Sequence, residues 1–137
     1  MSGTRYLVDT NILLRFLSGQ PAAQAAAARK LFSRAAAGEI ELDVSPVIVA
    51  ETFYTLTSFY GVERKVAADK ISVLLQQHGV KLRDSAQVLS ALERLQTVNV
   101  GFADAFLAAG AQEDGVEVVS FDRDFEKLKV PRYEPPA

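Results

Sequence analysis

Four carboxylates, Asp9, Glu51, Asp104 and Asp122, each stand in a run of apolar side chains, and the chemistry such a set can do is divalent-cation binding. Asp9 closes Tyr6-Leu7-Val8 and precedes Thr10-Asn11-Ile12-Leu13-Leu14. Glu51 follows Val47-Ile48-Val49-Ala50, and Asp104 is the only charge between Val98 and Gln112. An ionised carboxylate is rarely buried without a compensating positive charge, because desolvation is expensive. No basic residue is spaced to pair with each acid, so hard cations taking oxygen ligands explain the four better than four separate ion pairs. The expectation is a buried metal site.

The remaining composition narrows the ion. There is no Cys and a single His, which excludes disulfides, thiolate sites and His-rich zinc centres. Carboxylates alone select Mg2+ or Mn2+, ions that can polarise a phosphodiester and activate water against it. His78, in Gln76-Gln77-His78-Gly79, reads as the solvated end of a helix rather than as a triad base.

The elements that must position these acids alternate between strand and helix. Residues 5–9 read as a short buried strand, and 10–17 as a helix started by Asp, Thr and Asn capping chemistry. Pro21 opens an alanine-rich helix that stops at Gly38, and residues 40–45 alternate like a strand. Helices follow from Pro46 to about Phe59 and from Glu63 to His78. A short strand at 80–83 leads to a helix capped by Asp84-Ser85. A helix over 102–112, a break at Gly115 and a β-branched strand at 116–121 complete the pattern. The tail from Val130, with Pro131, Pro135 and Pro136, cannot continue a helix. At 137 residues and 49% hydrophobic content this is one domain, 1–137, able to fill a core of its own. Alternating strands and helices imply right-handed crossovers and a parallel sheet with helices on both faces, in which ligands gather at the carboxyl ends of the strands. Asp9 ends the first strand and Asp122 follows the last, while Glu51 and Asp104 lie in early helical turns that return to the same edge.

A formal charge of −2 does not exclude a polyanionic substrate, because two divalent ions would turn it to +2. Between Thr10 and Gly38 there is no acidic residue, while Arg15, Arg29, Lys30 and Arg34 are basic; the last three could equally be a solvated helix face. The apolar stretch after Arg5 is interrupted by Asp9, Asn11 and Arg15, which argues against a signal peptide and for a cytoplasmic protein.

Val8-Asp9-Thr10-Asn11, then Glu51 after Ser45-Pro46, then Phe102-Ala103-Asp104-Ala105, then Ser120-Phe121-Asp122-Arg123-Asp124-Phe125 resemble, as an ordered set, the acidic motifs of PIN-domain nucleases. Order, spacing and length are most similar to the VapC-type toxins of toxin-antitoxin pairs, and the resemblance runs from about Arg5 to Val130. It implies a three-layer α/β/α sandwich with a central parallel sheet and metal-dependent RNA cleavage. It also implies a homodimer and a small protein antitoxin. By the same resemblance Asp9, Glu51, Asp104 and Asp122 are the metal and catalytic acids, with Asn11 and Ser120 as supporting polar residues; Asp124 is read beside them as a supporting acid. Arg15, Arg29, Lys30 and Arg34 become the candidate RNA contacts. Ser120 stands where the family often has Thr and keeps the hydroxyl.

Each acid has an ordinary alternative. Asp9 could cap the helix after it, Glu51 could pair with a distant cation, and Asp104 could complement a helix dipole. Asp122 could open an Asx turn, with Asp124 as the rival ligand. At the level of the whole chain the alternatives are a non-catalytic module of the same fold and a Mg2+-dependent phosphatase. The phosphatase would want a second Asp where this chain has Asn11.

Overall fold

A computed structural model describes residues 3–136; Met1, Ser2 and Ala137, the outermost residues of the domain assigned to 1–137, lie outside the described residues. Strand β1 (Arg5–Leu7) turns at Asp9 into helix α1 (Thr10–Ser18). Helix α2 (Ala22–Ala36) buries Ala25, Ala28, Phe32 and Ala35, a helical stripe that turns Arg29, Lys30 and Arg34 to solvent. Strand β2 (Glu41–Val44) leads through Ser45 into α3 (Pro46–Ser58), with proline in the first turn, where no amide donor is lost. Helix α4 (Arg64–Leu75) precedes β3 (Val80–Leu82). It is shorter than the expected span from Glu63 to His78, so exposed His78 sits in the turn beyond it. Gly79 in that turn has φ +88°, and a Cβ there would come within 2.2 Å of the Ala35 carbonyl oxygen. Only glycine allows this close crossing.

Helices α5 (Ser85–Leu95) and α6 (Phe102–Asp114) follow, and α6 ends on Gly115 in the left-handed conformation, the break expected there. Strand β4 (Val118–Val119) is shorter than the expected 116–121, and α7 (Asp124–Lys127) is a single turn. The proline-flanked tail adds a strand the sequence does not announce, β5 (Arg132–Tyr133). The Val118 and Ser120 amides donate to the carbonyls of Pro131 and Tyr133.

The α/β class and the parallel pairing are those expected. In one ladder β2 lies between β1 and β3, with Tyr6 beside Leu42 and Leu42 beside Val80; in the other β4 pairs with β5. Alternation along the strands makes the two faces of the first ladder chemically different. Leu42 and Val44 are fully buried on one face, against a core that includes Leu13, Val49, Ile71, Val88, Leu92 and Leu95. The other face carries Arg5, Leu7, Glu41, Asp43, Lys81 and Arg83, and is largely exposed. Most of its charges pair on the sheet itself, with Lys81 3.7 Å from Glu41, and so do not call for an apolar helix over them. Burying each large apolar side chain on the inner face contributes about 1.5–3 kcal/mol, so that face defines the side on which the helices accumulate.

Candidate metal centre

Asp9 leaves β1 at its carboxyl end, and its Oδ1 accepts the Ile12 amide at 3.2 Å, so it does cap α1. That bond occupies one oxygen and leaves the carboxylate exposed. Beside it Thr10 Oγ1 donates to Glu51 Oε2 at 2.8 Å, fixing the Glu51 carboxylate of α3 to the start of α1. Asp104 lies half-buried in the first turn of α6. Asp122 opens an Asx turn: its Oδ1 accepts the Asp124 amide at 2.8 Å, and its own amide donates to Ser120 Oγ at 2.9 Å. This double bend brings carboxylate oxygens of Asp104, Asp122 and Asp124 within 4.8 Å of one another.

Burial, and then the nearby charges of Asp122 and Asp124, hold the Asp104 carboxyl above its ordinary value of 3.8. Lys127, 3.2 Å from Asp124, offsets part of that negative charge. An all-oxygen donor set with unneutralised negative charge fits a hard divalent cation, and nothing in it suits a softer one.

The geometry revises several expectations. Asp9, Glu51 and Asp122 are exposed and Asp104 is only half-buried, so the acids stand open to solvent instead of in a buried pocket. Several of their apolar neighbours are themselves exposed, Leu7, Val47 and Phe121 among them, and the acids emerge at strand ends and in the first two turns of helices. Asp124, read as a supporting residue, stands with Asp104 and Asp122 on equal terms, whereas Asp9 and Glu51 form a second group joined through Thr10. Ser120 holds the Asp122 backbone, not its carboxylate. Among the described residues the hydrogen bond to Glu51 comes from Thr10, and none involves the Asn11 side chain. Thr10 was legible only as a capping residue, because a hydroxyl at a helix start is so often just that.

Of the four candidate cations Arg15 shares a cavity with an acid, a space of about 470 Å³ lined by Asp9, Asn11, Ile12, Gln24 and Leu31 among others. Its guanidinium donates to Gln24 Oε1 at 2.8 Å and to the Tyr60 hydroxyl at 3.4 Å. Arg29 and Lys30 are exposed along α2, and Arg34 pairs with Glu39 at 3.4 Å. The acid that is truly buried is Asp43, which the sequence hides inside an ordinary strand. Arg5 donates to its Oδ2 from both Nε, at 3.0 Å, and Nη2, and Arg83 Nε lies 3.4 Å from Oδ1. The Arg5 hydrogen bonds outweigh the opposing effect of burial and hold Asp43 below the usual carboxylate range.

No curated protein sequence matches the chain. Among solved structures, a crystal structure of VapBC2 from Rickettsia felis bound to a DNA fragment from their promoter aligns at 14% identity with a TM-score of 0.39, covering 94% of this chain and 97% of that one. The PIN domain family model matches residues 6–131, a span that contains Asp9, Glu51, Asp104, Asp122 and Asp124. The chain therefore belongs to the PIN-domain family.

Proposed function

We propose that the chain is a metal-dependent endoribonuclease, the toxin of a type II toxin-antitoxin pair. The observation that carries this reading is the convergence of Asp104, Asp122 and Asp124 from α6 and the segment after β4, on a domain whose family is generally made of nucleases. Asp9, Asp104 and Asp122 would hold Mg2+ or Mn2+, and Asp124 would add a further carboxylate oxygen. When bound, the cation supplies positive charge to the phosphodiester and lowers the pKa of water beside it. Glu51, held by Thr10, would ligate the ion or orient the attacking water. Ser120 fixes the Asp122 turn, and Asn11 is a polar neighbour of Asp9 in the cavity shared with Arg15. Arg15 contacts the RNA backbone, with Arg29, Lys30 and Arg34 as a more distant electrostatic approach.

The protein acts in the cytoplasm as a homodimer restrained by a small antitoxin; among the described residues no helix is long and apolar enough to cross a membrane. Tyr54, Phe59 and Tyr60 at the end of α3, with Val66 and Val73 on α4, supply exposed apolar surface for the dimer contact. Expression of the chain alone tests the reading. Growth slows and cellular RNA is cut; the neighbouring gene's product relieves both, and Asp104→Asn abolishes both. Unimpaired growth with intact RNA would count against the toxin.

A further inference from the structure

We propose that Arg83 binds a backbone phosphate of single-stranded RNA next to the one being cleaved, an inference that rests on the nuclease reading above. Arg83 directly follows β3, and its amide donates to the Val44 carbonyl at 3.3 Å, so it stands at the same carboxyl edge of the sheet as Asp9. Between the ends of β1, β2 and β3 lies a cavity of about 380 Å³, lined by Leu7, Val8, Asp9, Asp43, Ser45, Ile48 and Arg83. Asp9 thus stands between two cavities, with Arg15 on one side and Arg83 on the other. A polyanion crossing Asp9 meets a cation on each flank.

The ion pair with Asp43 does not consume Arg83. Asp43 Oδ2 is already taken by two donors of Arg5, while Asp43 Oδ1, the atom nearest Arg83, has no hydrogen-bond partner. The Arg83 side chain is 56% exposed against 7% for Asp43, so its remaining guanidinium donors are open to solvent at the cavity. Two guanidinium charges beside one carboxylate leave one positive charge uncompensated. The Ser45 hydroxyl lines the same space and caps nothing on α3, which gives a second donor. Phosphate is the partner for an exposed guanidinium with free donors and a neighbouring hydroxyl.

The test is cleavage of a short single-stranded RNA by the full chain in Mn2+ between 50 and 200 mM salt. For Arg83→Gln the account predicts KM raised about five- to tenfold at low salt and kcat within twofold. The slope of log kcat/KM against log salt should become shallower by about 0.7, the loss of one phosphate contact. Arg83→Lys, which keeps the charge, should retain the slope with an intermediate KM. Arg5→Gln removes the stronger partner of Asp43 and one of the two guanidinium charges beside it, so it should lower Tm and raise KM by a smaller factor than Arg83→Gln does. An unchanged KM and slope in Arg83→Gln would overturn the proposal while leaving the nuclease standing, as would an Arg83→Gln that cannot fold together with an Arg83→Lys indistinguishable from wild type in KM. Absence of cleavage by the wild-type chain would overturn both.

Discussion

Asp104 is where residue chemistry is most sharply set, because its carboxyl is raised by burial and by Asp122 and Asp124. A raised folded-state pKa means that its contribution to stability is present below the unfolded value, near 3.8, and is lost as pH rises through the folded one. Metal-free protein should therefore lose melting temperature over that window, and Asp104→Asn should flatten the loss. Asp43 works in the opposite direction: its lowered pKa contributes stability above the unfolded value, and that is lost as pH falls through the folded one. Thermal melts of wild type and Asp104→Asn from pH 3 to 7 separate the two limbs. Asp104→Asn and Asp122→Asn should also melt no lower than wild type without metal, since each amide relieves like-charge repulsion. A fall of several kcal/mol at both would mark them as structural, as loss of one partner of a buried pair typically costs about 3–5 kcal/mol. Thr10→Val removes the bond to Glu51 at nearly constant shape, and a loss of about 10- to 100-fold in RNA cleavage with an unchanged Tm is expected. At this scale the sequence exposed the acids through their apolar neighbours. It did not expose Thr10 or the status of Asp124, because both depend on a turn geometry that residue type alone does not determine.

Among the elements, α6 is placed by a residue outside it. Arg64 of α4 donates to the carbonyls of Val98 and Val100 at 3.0 and 2.6 Å, in the segment that delivers Asp104, and its guanidinium lies 5.3 Å from the Phe53 ring centroid. Burial pulls the Arg64 pKa down, the mark of a cation taken partly out of water and repaid by those carbonyls. Arg64→Ala should destabilise by about 1.5–3 kcal/mol, measured by urea unfolding, and weaken cleavage through Asp104 without Arg64 touching RNA. An unchanged stability would remove Arg64 from the account. Helix α2 was legible nearly to its ends, and α5 starts where expected, although Asp84 makes no side-chain capping bond there. Strand β5 was not legible, because two residues between prolines show no periodicity and owe their conformation to pairing with β4. The same short pairing explains why β4 covers only Val118–Val119 of a longer β-branched run, with Val116, Val119 and Phe121 left exposed.

At the scale of the whole molecule, class and strand direction followed from alternation of elements. The division of the sheet into two ladders and the charged outer face of the first did not follow from it. That face is encoded in alternate positions of three short strands that become neighbours only after folding. The exposed apolar surface at the end of α3 is the other global feature, with Tyr54 at 60% and Phe59 at 80% exposure. The proposed homodimer would bury it, so Tyr54→Glu with Phe59→Glu should give a folded monomer by light scattering at micromolar concentration, where the proposal predicts a dimer for the wild-type chain. A monomeric wild type would end the dimer while leaving the catalytic site untouched.

All of this depends on the acids binding a divalent ion that drives RNA hydrolysis. The direct measurement is cleavage of a labelled single-stranded RNA by purified wild-type and Asp122→Asn protein, each in Mn2+ and in EDTA. The account predicts cleavage by the wild type in Mn2+ alone, with at least a 100-fold loss, roughly, in the other three conditions, because both ion and ligand are required. Equal cleavage in EDTA, or full activity of Asp122→Asn, would contradict it.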